Sequence, residues 1–314
     1  MHKIVTLTFN PCIDKSTTIN GLKPEKKLQC SPPVFGPGGG GINVTRALNC
    51  LGNKSLAIFP SGGYGGKFLN HLMQLEGLDF KAIETAEETR ENFIVYDQAT
   101  NLQYRFGMPG SPLKEEEWKS LLREVERTDA DYLVASGSLT PGMPADIVAQ
   151  VAQIAKDKGA RLIIDTSGEA LHKALDVGVF LLKPNLGELS SLVGEEEVTH
   201  ETVDQIARDI INRGQCQMIV VSLGAQGAKL ITKDEIILVS PPIVKQVSTV
   251  GAGDSMVAGM VSALSNDKPL KEVLQFGVAC GTAATLTHGS ELCRKEDVER
   301  LYRIISGKTT FTFS

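Results

Sequence analysis

The pattern of hydrophobic positions from residue 115 onward alternates between two periods. Short apolar runs typical of buried strands lie at residues 132–135, 161–165, 179–182 and 218–222. Between them are longer segments in which apolar residues recur with a helical period, at residues 115–127, 144–158, 186–193 and 201–213. Strands that alternate with helices predict right-handed βαβ units and a mostly parallel sheet, so the fold class that we expect is α/β.

The first 110 residues follow this pattern only in part. Residues 4–8 predict an inner strand, but residues 16–35, 91–96 and 103–108 mix β-branched or aromatic residues with polar ones and show no helical period. A turn around residues 99–101 separates the last two segments. We therefore expect strands that leave the main sheet. No linker or internal repeat interrupts the chain, which predicts a single domain over residues 1–314.

Composition and charge narrow the class of protein. The chain has 314 residues, of which 42% are hydrophobic and 22% are charged, and its net charge is −5. A negative net charge argues against nucleic acid as a main partner, because nucleic-acid binding needs a basic face. No apolar run is long enough to cross a membrane, and the N-terminal residues lack a signal-peptide layout, so we expect a cytoplasmic protein.

The six cysteines and five histidines indicate no metal or redox chemistry. No two cysteines form a C-x-x-C pair, and no histidine lies near a cysteine with the spacing of zinc ligands. We expect reduced thiols that are mostly structural.

The stretch Ser248-Thr249-Val250-Gly251-Ala252-Gly253-Asp254 is the strongest candidate for chemistry. Its three small residues allow a sharp turn and a close approach of the backbone to a ligand. Apolar residues at positions 256, 257, 260, 261 and 264 then predict a helix from residue 254 to about residue 265. The unpaired N–H groups at a helix N-terminus favour an anion such as phosphate.

Asp254 lies at this same helix terminus, where a carboxylate beside a phosphate site needs an explanation. One explanation is catalytic, since a carboxylate can take the proton from a hydroxyl that attacks the phosphate. The other is structural, with Asp254 as the N-cap residue of an ordinary helix. The stretch by itself favours neither.

A second glycine-rich stretch, Gly36-Pro37-Gly38-Gly39-Gly40-Gly41-Ile42-Asn43-Val44, precedes a predicted helix at residues 42–51. Consecutive glycines cost backbone entropy, which indicates that the backbone comes close to another group. A dinucleotide-binding fingerprint is the alternative, but its glycines should follow a strand and precede an acidic residue by about twenty positions. The next acidic residue is Glu76, so this alternative is disfavoured.

Polar residues collect where the predicted strands end. The carboxyl ends of parallel strands share one edge of the sheet, which is the side where ligands bind. Asp14 follows the first strand in the turn Asn10-Pro11-Cys12-Ile13-Asp14, where its carboxylate could hold hydroxyl groups of a sugar or stabilise an Asx-turn. The other strand-end loops are Ser136-Gly137-Ser138, Asp165-Thr166-Ser167-Gly168, Lys183-Pro184-Asn185 with Glu188, and Ser222-Leu223-Gly224.

Three basic residues lie on or beside the predicted strands that leave the main sheet: Lys27, Arg90 and Arg105. Their side chains could converge on one anion, because guanidinium groups bind phosphate through two parallel hydrogen bonds. The alternative, that they are ordinary surface residues, is favoured when each is considered singly.

Together these motifs resemble those of the PfkB (ribokinase-like) family of sugar kinases. The resemblance rests on two signatures, Gly38 to Val44 with Arg46-Ala47 and Ser248 to Asp254, and on the strand-end loops between them. It spans essentially the whole chain. Within the family the chain is most similar to the phosphosugar branch, through residues 32–41, 103–110 and 165–171.

The resemblance implies a fold and an activity. The fold is a three-layer α/β/α sandwich with a mostly parallel central sheet and a small β-sheet lid, built from about residues 15–36 and 88–108, which also forms the contact of a homodimer. The activity is the ATP-dependent phosphorylation of fructose 6-phosphate on its 1-hydroxyl, with Mg²⁺ and K⁺ as cofactors. The nearest alternatives are kinases of tagatose 6-phosphate or fructose 1-phosphate, and a non-catalytic sugar-phosphate sensor is an alternative of another class.

One residue favours the 6-phosphate substrate within this family. Kinases of fructose 1-phosphate typically have a lysine in the glycine signature, at the position where this chain has Gly40.

The resemblance also implies roles for the residues around the transferred phosphate. Asp254 would be the base, and the amides of Gly251, Ala252 and Gly253 would form the anion hole. The sugar hydroxyls would be held by Asp14, Gly39 and Asn43. The phosphate of the substrate would be bound by Lys27, Arg90, Arg105 and Ser138.

The remaining roles concern the nucleotide and the metals. The residues along ATP would be Lys183, Asn185, Glu188, Ser222, Gly224 and Gly227, and Glu188 would also reach Mg²⁺ through a water. The potassium site would use backbone oxygens of Ser248, Val250, Ala284 and Gly289.

Overall fold

Two β-sheets and ten α-helices make up the described chain, residues 2–287 and 291–307 of a computed structural model. The strands are β1 (Ile4–Leu7), β2 (Cys12–Ile19), β3 (Val34–Gly38), β4 (Leu56–Gly62), β5 (Asp79–Thr85), β6 (Arg90–Asp97), β7 (Leu102–Phe106), β8 (Tyr132–Ser136), β9 (Arg161–Asp165), β10 (Val179–Leu182), β11 (Cys216–Ser222), β12 (Ala228–Thr232) and β13 (Ile236–Val239). The helices are α1 (Gly40–Cys50), α2 (Gly63–Leu75), α3 (Glu115–Arg127), α4 (Ile147–Lys158), α5 (Glu169–Val177), α6 (Leu186–Val193), α7 (Val203–Asn212), α8 (Ala252–Leu264), α9 (Leu270–Ala284) and α10 (Lys295–Ile305).

The main sheet has nine strands in the order β13-β12-β11-β10-β9-β8-β1-β4-β5. Neighbouring strands from β5 to β11 are parallel, and only β12 and β13 pair antiparallel at one edge. The chain runs from β1 outward to β4 on one side and later to β8 on the other. The strand order therefore reverses at β1, and such a reversal opens a crevice at the carboxyl ends of the strands.

Two layers of helices cover this sheet. One buried cluster joins its strands to α3, α4, α5, α6 and α7, through residues such as Leu121 and Ile147. A second cluster joins the strands to α1, α8, α9 and α10, through residues such as Leu48 and Val257. The observed fold is thus the predicted α/β/α sandwich. No helix in the described ranges has the length and apolar character that a membrane crossing requires.

The small sheet contains four strands in the order β3-β2-β6-β7, which lie in or overlap the three segments without helical period. β2 and β6 are parallel, with Asp14 paired to Asn92, and β6 and β7 are antiparallel, with Ile94 paired to Arg105. Paired residues point to the same side of a sheet. Asp14, Asn92, Ile94 and Arg105 therefore share one face, which we call the inner face.

The structure corrects several details of the predicted elements. α8 begins at Ala252 and α1 at Gly40, two residues before the positions that apolar periodicity indicates. The sequence pattern missed α5, and it also missed the antiparallel strands β12 and β13, which are only five and four residues long. Asp14 lies within β2 rather than in a turn, because its backbone pairs with both β3 and β6.

Candidate active site

The glycine loop before α8 has a conformation that its sequence requires. Gly251 is the N-cap residue of α8 and has a φ of 70°, in the left-handed region that favours glycine. A Cβ atom at this position would also lie 2.4 Å from Cδ2 of Leu292. A larger residue would therefore be strained and would displace Leu292. The N–H of Ala252, the first of α8, makes a long hydrogen bond of 3.4 Å to the carbonyl oxygen of Thr249.

Asp254 is the third residue of α8 and does not cap it. The N-cap position shows no side-chain hydrogen bond, and Oδ2 of Asp254 instead accepts a hydrogen bond of 2.9 Å from Nδ2 of Asn43 on α1. The two residues are 211 positions apart in the chain. The structure thus excludes the N-cap interpretation and leaves the carboxylate free for chemistry.

Its surroundings raise the pKa of Asp254 to about 6. The main cause is the loss of hydration inside the protein, and the negative charges of Asp165 and Asp14 add to it. The hydrogen bond from Asn43 and the positive charge of Lys183 act in the opposite direction. A carboxylate with a pKa near the working pH is suited to act as a general base.

A cavity of about 360 Å³ lies between Asp254 and the inner face of the small sheet. Asp14 is 7% exposed and accepts hydrogen bonds of 3.3 Å from the Cys12 thiol and from Nδ2 of Asn92. The residues that line this cavity, which we call the sugar cavity, include Asp14, Gly39, Asn43, Arg90, Asn92, Arg105, Gly251 and Asp254. Most of the residues predicted to hold the sugar phosphate are thus brought to one place.

The two arginines of the sugar cavity are held differently. Arg90 donates hydrogen bonds to the carbonyl oxygens of Met108 (2.8 Å) and Asn10 (2.9 Å), while its Nε is buried and has no partner within the described residues. Arg105 is exposed, and within the described chain it forms no ion pair. Both guanidinium groups can therefore donate to an anion.

The glycine run before α1 packs against the ends of two main-sheet strands. A Cβ atom at Gly40 would lie 2.4 Å from Oγ of Ser136, and one at Gly41 would lie 2.5 Å from the carbonyl oxygen of Leu7. The predicted close approach is therefore real, and its partner is the backbone at the crevice of the main sheet. This packing positions Asn43 one turn into α1.

A second cavity, of about 660 Å³, lies on the other side of the glycine loop, and we call it the nucleotide cleft. Its walls include Ala252 and Gly253, whereas Gly251 and Asp254 line the sugar cavity. All of the predicted nucleotide residues line it: Lys183, Asn185, Glu188, Ser222, Gly224 and Gly227. The loop of small residues therefore separates two cavities that meet at the start of α8.

Lys183 is the buried cation of the nucleotide cleft. Its side chain is 5% exposed, and its Nζ lies 3.1 Å from Oδ1 of Asp165. Burial acts to lower the pKa of Lys183, but the charge and hydrogen bond of Asp165 together with the charges of Glu188 and Asp254 outweigh it, so the pKa is raised and the amine stays charged. A Cβ atom at Gly253 would lie 3.7 Å from Nζ, which places this charge beside the glycine loop.

Asn185 and Glu188 have a structural function in addition to their place in the cleft. Asn185 is the N-cap of α6, and each side chain accepts a hydrogen bond of 2.8 Å from the backbone N–H of the other. This capping box fixes both side chains at the edge of the cleft.

The described residues contain no cluster of three or more His, Cys, Asp or Glu side chains that could hold a metal ion. Asp165 and Glu188 line the cleft, and their carboxylates could donate oxygen atoms to a magnesium ion bound with a nucleotide.

Two predicted substrate residues lie outside the walls of the sugar cavity. Lys27 is exposed in the connection between β2 and β3. Ser138 is exposed after β8, where its Oγ accepts a hydrogen bond of 3.3 Å from Nδ2 of Asn10. Ser138 is therefore connected to Arg90 only through Asn10.

Two of the four predicted potassium ligands, Ser248 and Ala284, lie on segments that meet at the end of α9. The N–H groups of Val247 and Ser248 donate to the carbonyl oxygen of Thr285 (2.8 and 3.3 Å), next to Ala284, and Val250 lies two residues after Ser248. The C-terminal end of a helix carries a negative partial charge, which suits a cation. Gly289, the fourth, lies outside the described residues.

Sequence analysis missed two residues of the site. Asn92 lies two positions after Arg90 on β6, and the alternation of a strand could have placed it on the same face. Asp165 was noted at a strand end but was given no role. Its pairing with Lys183 crosses from the end of β9 to the residue after β10, and nothing local in the sequence indicates it.

Known proteins resemble this chain over its whole length. The ATP-dependent 6-phosphofructokinase isozyme 2 of Escherichia coli is 44% identical over 308 residues, which cover 98% of this chain and 100% of that protein. Crystal structures of the phosphofructokinase-2 of E. coli superpose with TM-scores of 0.94 in a complex with potassium and 0.92 in a complex with fructose 6-phosphate. They are 44% and 43% identical, and each alignment covers 98% of this chain and 100% of the other. The pfkB family carbohydrate kinase profile matches residues 4–297, and this chain belongs to that family.

Proposed function

We propose that this protein transfers the γ-phosphoryl group of ATP to the 1-hydroxyl of fructose 6-phosphate and forms fructose 1,6-bisphosphate. The observation that carries the proposal is the position of the glycine loop, which has the sugar cavity on one side and the nucleotide cleft on the other. A phosphoryl group can pass between the two cavities at the start of α8, where their linings adjoin. The identity with a 6-phosphofructokinase over the whole chain supports the choice of sugar.

In this proposal the chain contributes position and charge. Asp254 accepts the proton of the attacking hydroxyl, and the amides of Gly251, Ala252 and Gly253 stabilise the charge on the transferred group. Lys183 adds a buried positive charge beside Gly253. Mg²⁺, bound with the nucleotide, would neutralise the phosphate oxygens.

The sugar is held from both sides of its cavity. Asp14 and Asn43 accept and donate hydrogen bonds to its hydroxyl groups, while Arg90 and Arg105 bind its phosphate. The main chain around Gly39 forms the wall between them. Lys27 can bind this phosphate only if the connection between β2 and β3 moves over a sugar cavity. Ser138 acts through its hydrogen bond with Asn10.

The packing of Gly40 supports the 6-phosphate over the 1-phosphate sugar. The positions of Ser136 and Gly137 leave no space for any side chain at residue 40, so the lysine typical of fructose 1-phosphate kinases does not fit this backbone. Tagatose 6-phosphate would use the same clamp and the same base, and it remains the competing substrate. A sensor without activity is disfavoured because Asp254 and the anion hole are both intact.

The experiment is an ADP-release assay with Mg-ATP and K⁺ against fructose 6-phosphate, tagatose 6-phosphate, fructose 1-phosphate and the free sugars. We expect the highest kcat/KM with fructose 6-phosphate. A higher value with another phosphosugar would move the protein to a different substrate with the same mechanism. No turnover with any sugar, while nucleotide still binds, would support the sensor.

We also propose that K⁺ activates the enzyme through backbone oxygens of Ser248, Val250 and Ala284, where the end of α9 meets the loop that leads to Gly251. A cation there would hold the anion hole in place. Replacing KCl by tetramethylammonium chloride at constant ionic strength should lower kcat, and an unchanged rate would argue against the site.

Because ATP and sugar phosphates are cytoplasmic metabolites, the proposed activity is a cytoplasmic one.

We propose that the protein forms a homodimer through the small sheet. A groove of about 370 Å³ continues the inner face beyond the sugar cavity, and its lining includes Pro32, Val34, Ile94 and Tyr96. Val34, on the edge strand β3, is 66% exposed and lines this groove. A second copy of the sheet would cover it. Light scattering on wild type and Val34→Asp tests this, and a wild-type monomer would contradict it.

A further inference from the structure

Strand β7 contributes residues to the sugar cavity and to the groove beside it. Arg105 on β7 lines the sugar cavity, and Gln103, two positions earlier on the same face, lines the groove. β7 is the edge strand of the small sheet and pairs only with β6, with Gln103 opposite Tyr96. A displacement of Arg105 by a bound phosphate would therefore carry Gln103 with it.

The Gln103 side chain connects β7 to the loop that forms the anion hole. Its Oε1 accepts a hydrogen bond of 2.9 Å from Oγ of Ser248. The same Oγ accepts a hydrogen bond of 3.1 Å from the N–H of Val250, the residue before Gly251. Two hydrogen bonds thus lead from the small sheet to the N-cap of α8, across 145 positions of sequence.

The amide of Gln103 is used for this contact and for no other within the described residues. Its Nε2 is buried and has no hydrogen-bond partner there. In the structure Oε1 faces Ser248 and accepts the proton of its hydroxyl group, while that hydroxyl oxygen accepts from the N–H of Val250. Burial of an unpaired amide donor is unfavourable, so simple stabilisation of the fold does not explain a glutamine here.

We propose that Gln103 is a positioning residue that transmits binding of the sugar's phosphate, at Arg105, to the anion-hole amides through Ser248. The inference rests on the proposed kinase function and names a regulation of that same site. When the phosphate draws β7 toward the main sheet, the hydrogen-bonded chain sets Val250 and Gly251 for phosphoryl transfer. Without the phosphate the loop is less well placed, which limits wasteful hydrolysis of ATP.

The kinetic test compares Gln103→Leu, Gln103→Glu and Ser248→Ala with the control Gln98→Leu, which changes the same residue type in the same groove. Because a misplacement of about 1 Å can cost about 10²-fold in rate, we expect Gln103→Leu to lower kcat by about 10- to 100-fold with an unchanged KM for ATP. Gln103→Glu keeps the acceptor for Ser248 and should stay within about threefold of wild type, as should Gln98→Leu.

The double variant Gln103→Leu/Ser248→Ala decides whether the two residues act in one chain. We expect it to be no slower than the slower single variant, because removing either residue already breaks the connection. Single-variant effects that multiply, or a Gln103→Leu enzyme within about twofold of wild type, would overturn the proposal.

Hydrogen exchange tests the connection independently of turnover. Fructose 6-phosphate, and inorganic phosphate as a second probe, should slow amide exchange in the peptide that contains Val250 in wild type and in Gln98→Leu, but not in Gln103→Leu. If wild type phosphorylates no sugar, the proposed function fails, but this comparison still decides on the connection. Equal slowing in Gln103→Leu, or no slowing in wild type, would overturn it.

Discussion

The two cavities that meet at the glycine loop differ in how completely their polar groups are paired. In the nucleotide cleft, Lys183 is paired with Asp165, and Asn185 and Glu188 satisfy each other's backbone. In the sugar cavity, Arg105 is exposed, Nε of Arg90 is buried without a partner within the described residues, and Asp254 has a raised pKa.

This difference follows from where the cavities lie. The nucleotide cleft is built from the ends of main-sheet strands and the first turns of α6 and α8, whose positions the core fixes. The sugar cavity lies between that frame and the small sheet, so its shape depends on how the two sheets approach each other. We infer that the nucleotide side is formed in advance, whereas the sugar side is completed by its ligand.

The largest predicted effect is on the chemical step. Asp254→Asn keeps the size of the side chain but cannot accept the hydroxyl proton, so kcat should fall by about 10³- to 10⁵-fold. Calorimetric binding of ATP and fructose 6-phosphate should remain close to wild type. A kcat within tenfold of wild type would remove Asp254 as the base.

The next effect tests whether the nucleotide cleft is formed in advance. Lys183→Met removes the partner of Asp165 and leaves a partly buried carboxylate unpaired, so the free energy of unfolding should fall by about 2–4 kcal/mol in urea titrations at pH 7. The matched variant Lys183→Met/Asp165→Asn should recover part of this loss. An unchanged free energy of unfolding in Lys183→Met would mean that the ion pair does not help to hold the nucleotide cleft in its shape.

Substitutions in the sugar cavity should change the affinity for the sugar rather than the stability of the fold. Arg90→Ala is expected to raise the KM for fructose 6-phosphate by about 30- to 300-fold, since a charged hydrogen-bond donor to phosphate is lost. The KM for ATP should change less than threefold. Lys23→Ala, a change of an exposed cation that does not line the sugar cavity, serves as the control and should leave both KM values close to wild type. Equal increases in both KM values would refute the assignment of Arg90 to the phosphate of the sugar.

The smallest effect is on stability and comes from the raised pKa of Asp254. A carboxyl whose folded pKa is above its unfolded value destabilises the fold once it ionises, so wild type loses stability as the pH rises from about 4 to about 6. Asp254→Asn lacks this term and should be more stable by ~1–3 kcal/mol at pH 7.5, with the difference vanishing near pH 4. Urea titrations without substrate measure it. A difference that does not depend on pH would contradict the raised pKa.

The main sheet and its helices could be predicted from the sequence more fully than the candidate active site. Helical period and apolar runs located most strands and helices of the main sheet, because each element carries its own signal. α5 was missed because it is a nine-residue helix, and β12 and β13 because they form a short antiparallel edge in a chain of βαβ units. The glycines were recognised, but their partners Ser136 and Leu7 are known only from the packing.

The contacts that make the site specific have no local signature. The hydrogen bonds of Asn43 with Asp254 and of Ser248 with Gln103 join residues 211 and 145 positions apart. Asp14 was placed in a turn because the register of the small sheet is set by tertiary pairing with β3 and β6. Family resemblance supplied the roles, and only the structure indicates which residues can share a ligand.

A crystal structure with fructose 6-phosphate and a non-hydrolysable ATP analogue tests the central claim most directly. The account predicts the 1-hydroxyl oxygen within about 3 Å of the Asp254 carboxylate, the 6-phosphate at Arg90 and Arg105, and the γ-phosphate at the amides of residues 251–253. A sugar bound with its phosphate away from both arginines, or with no hydroxyl near Asp254, would contradict it.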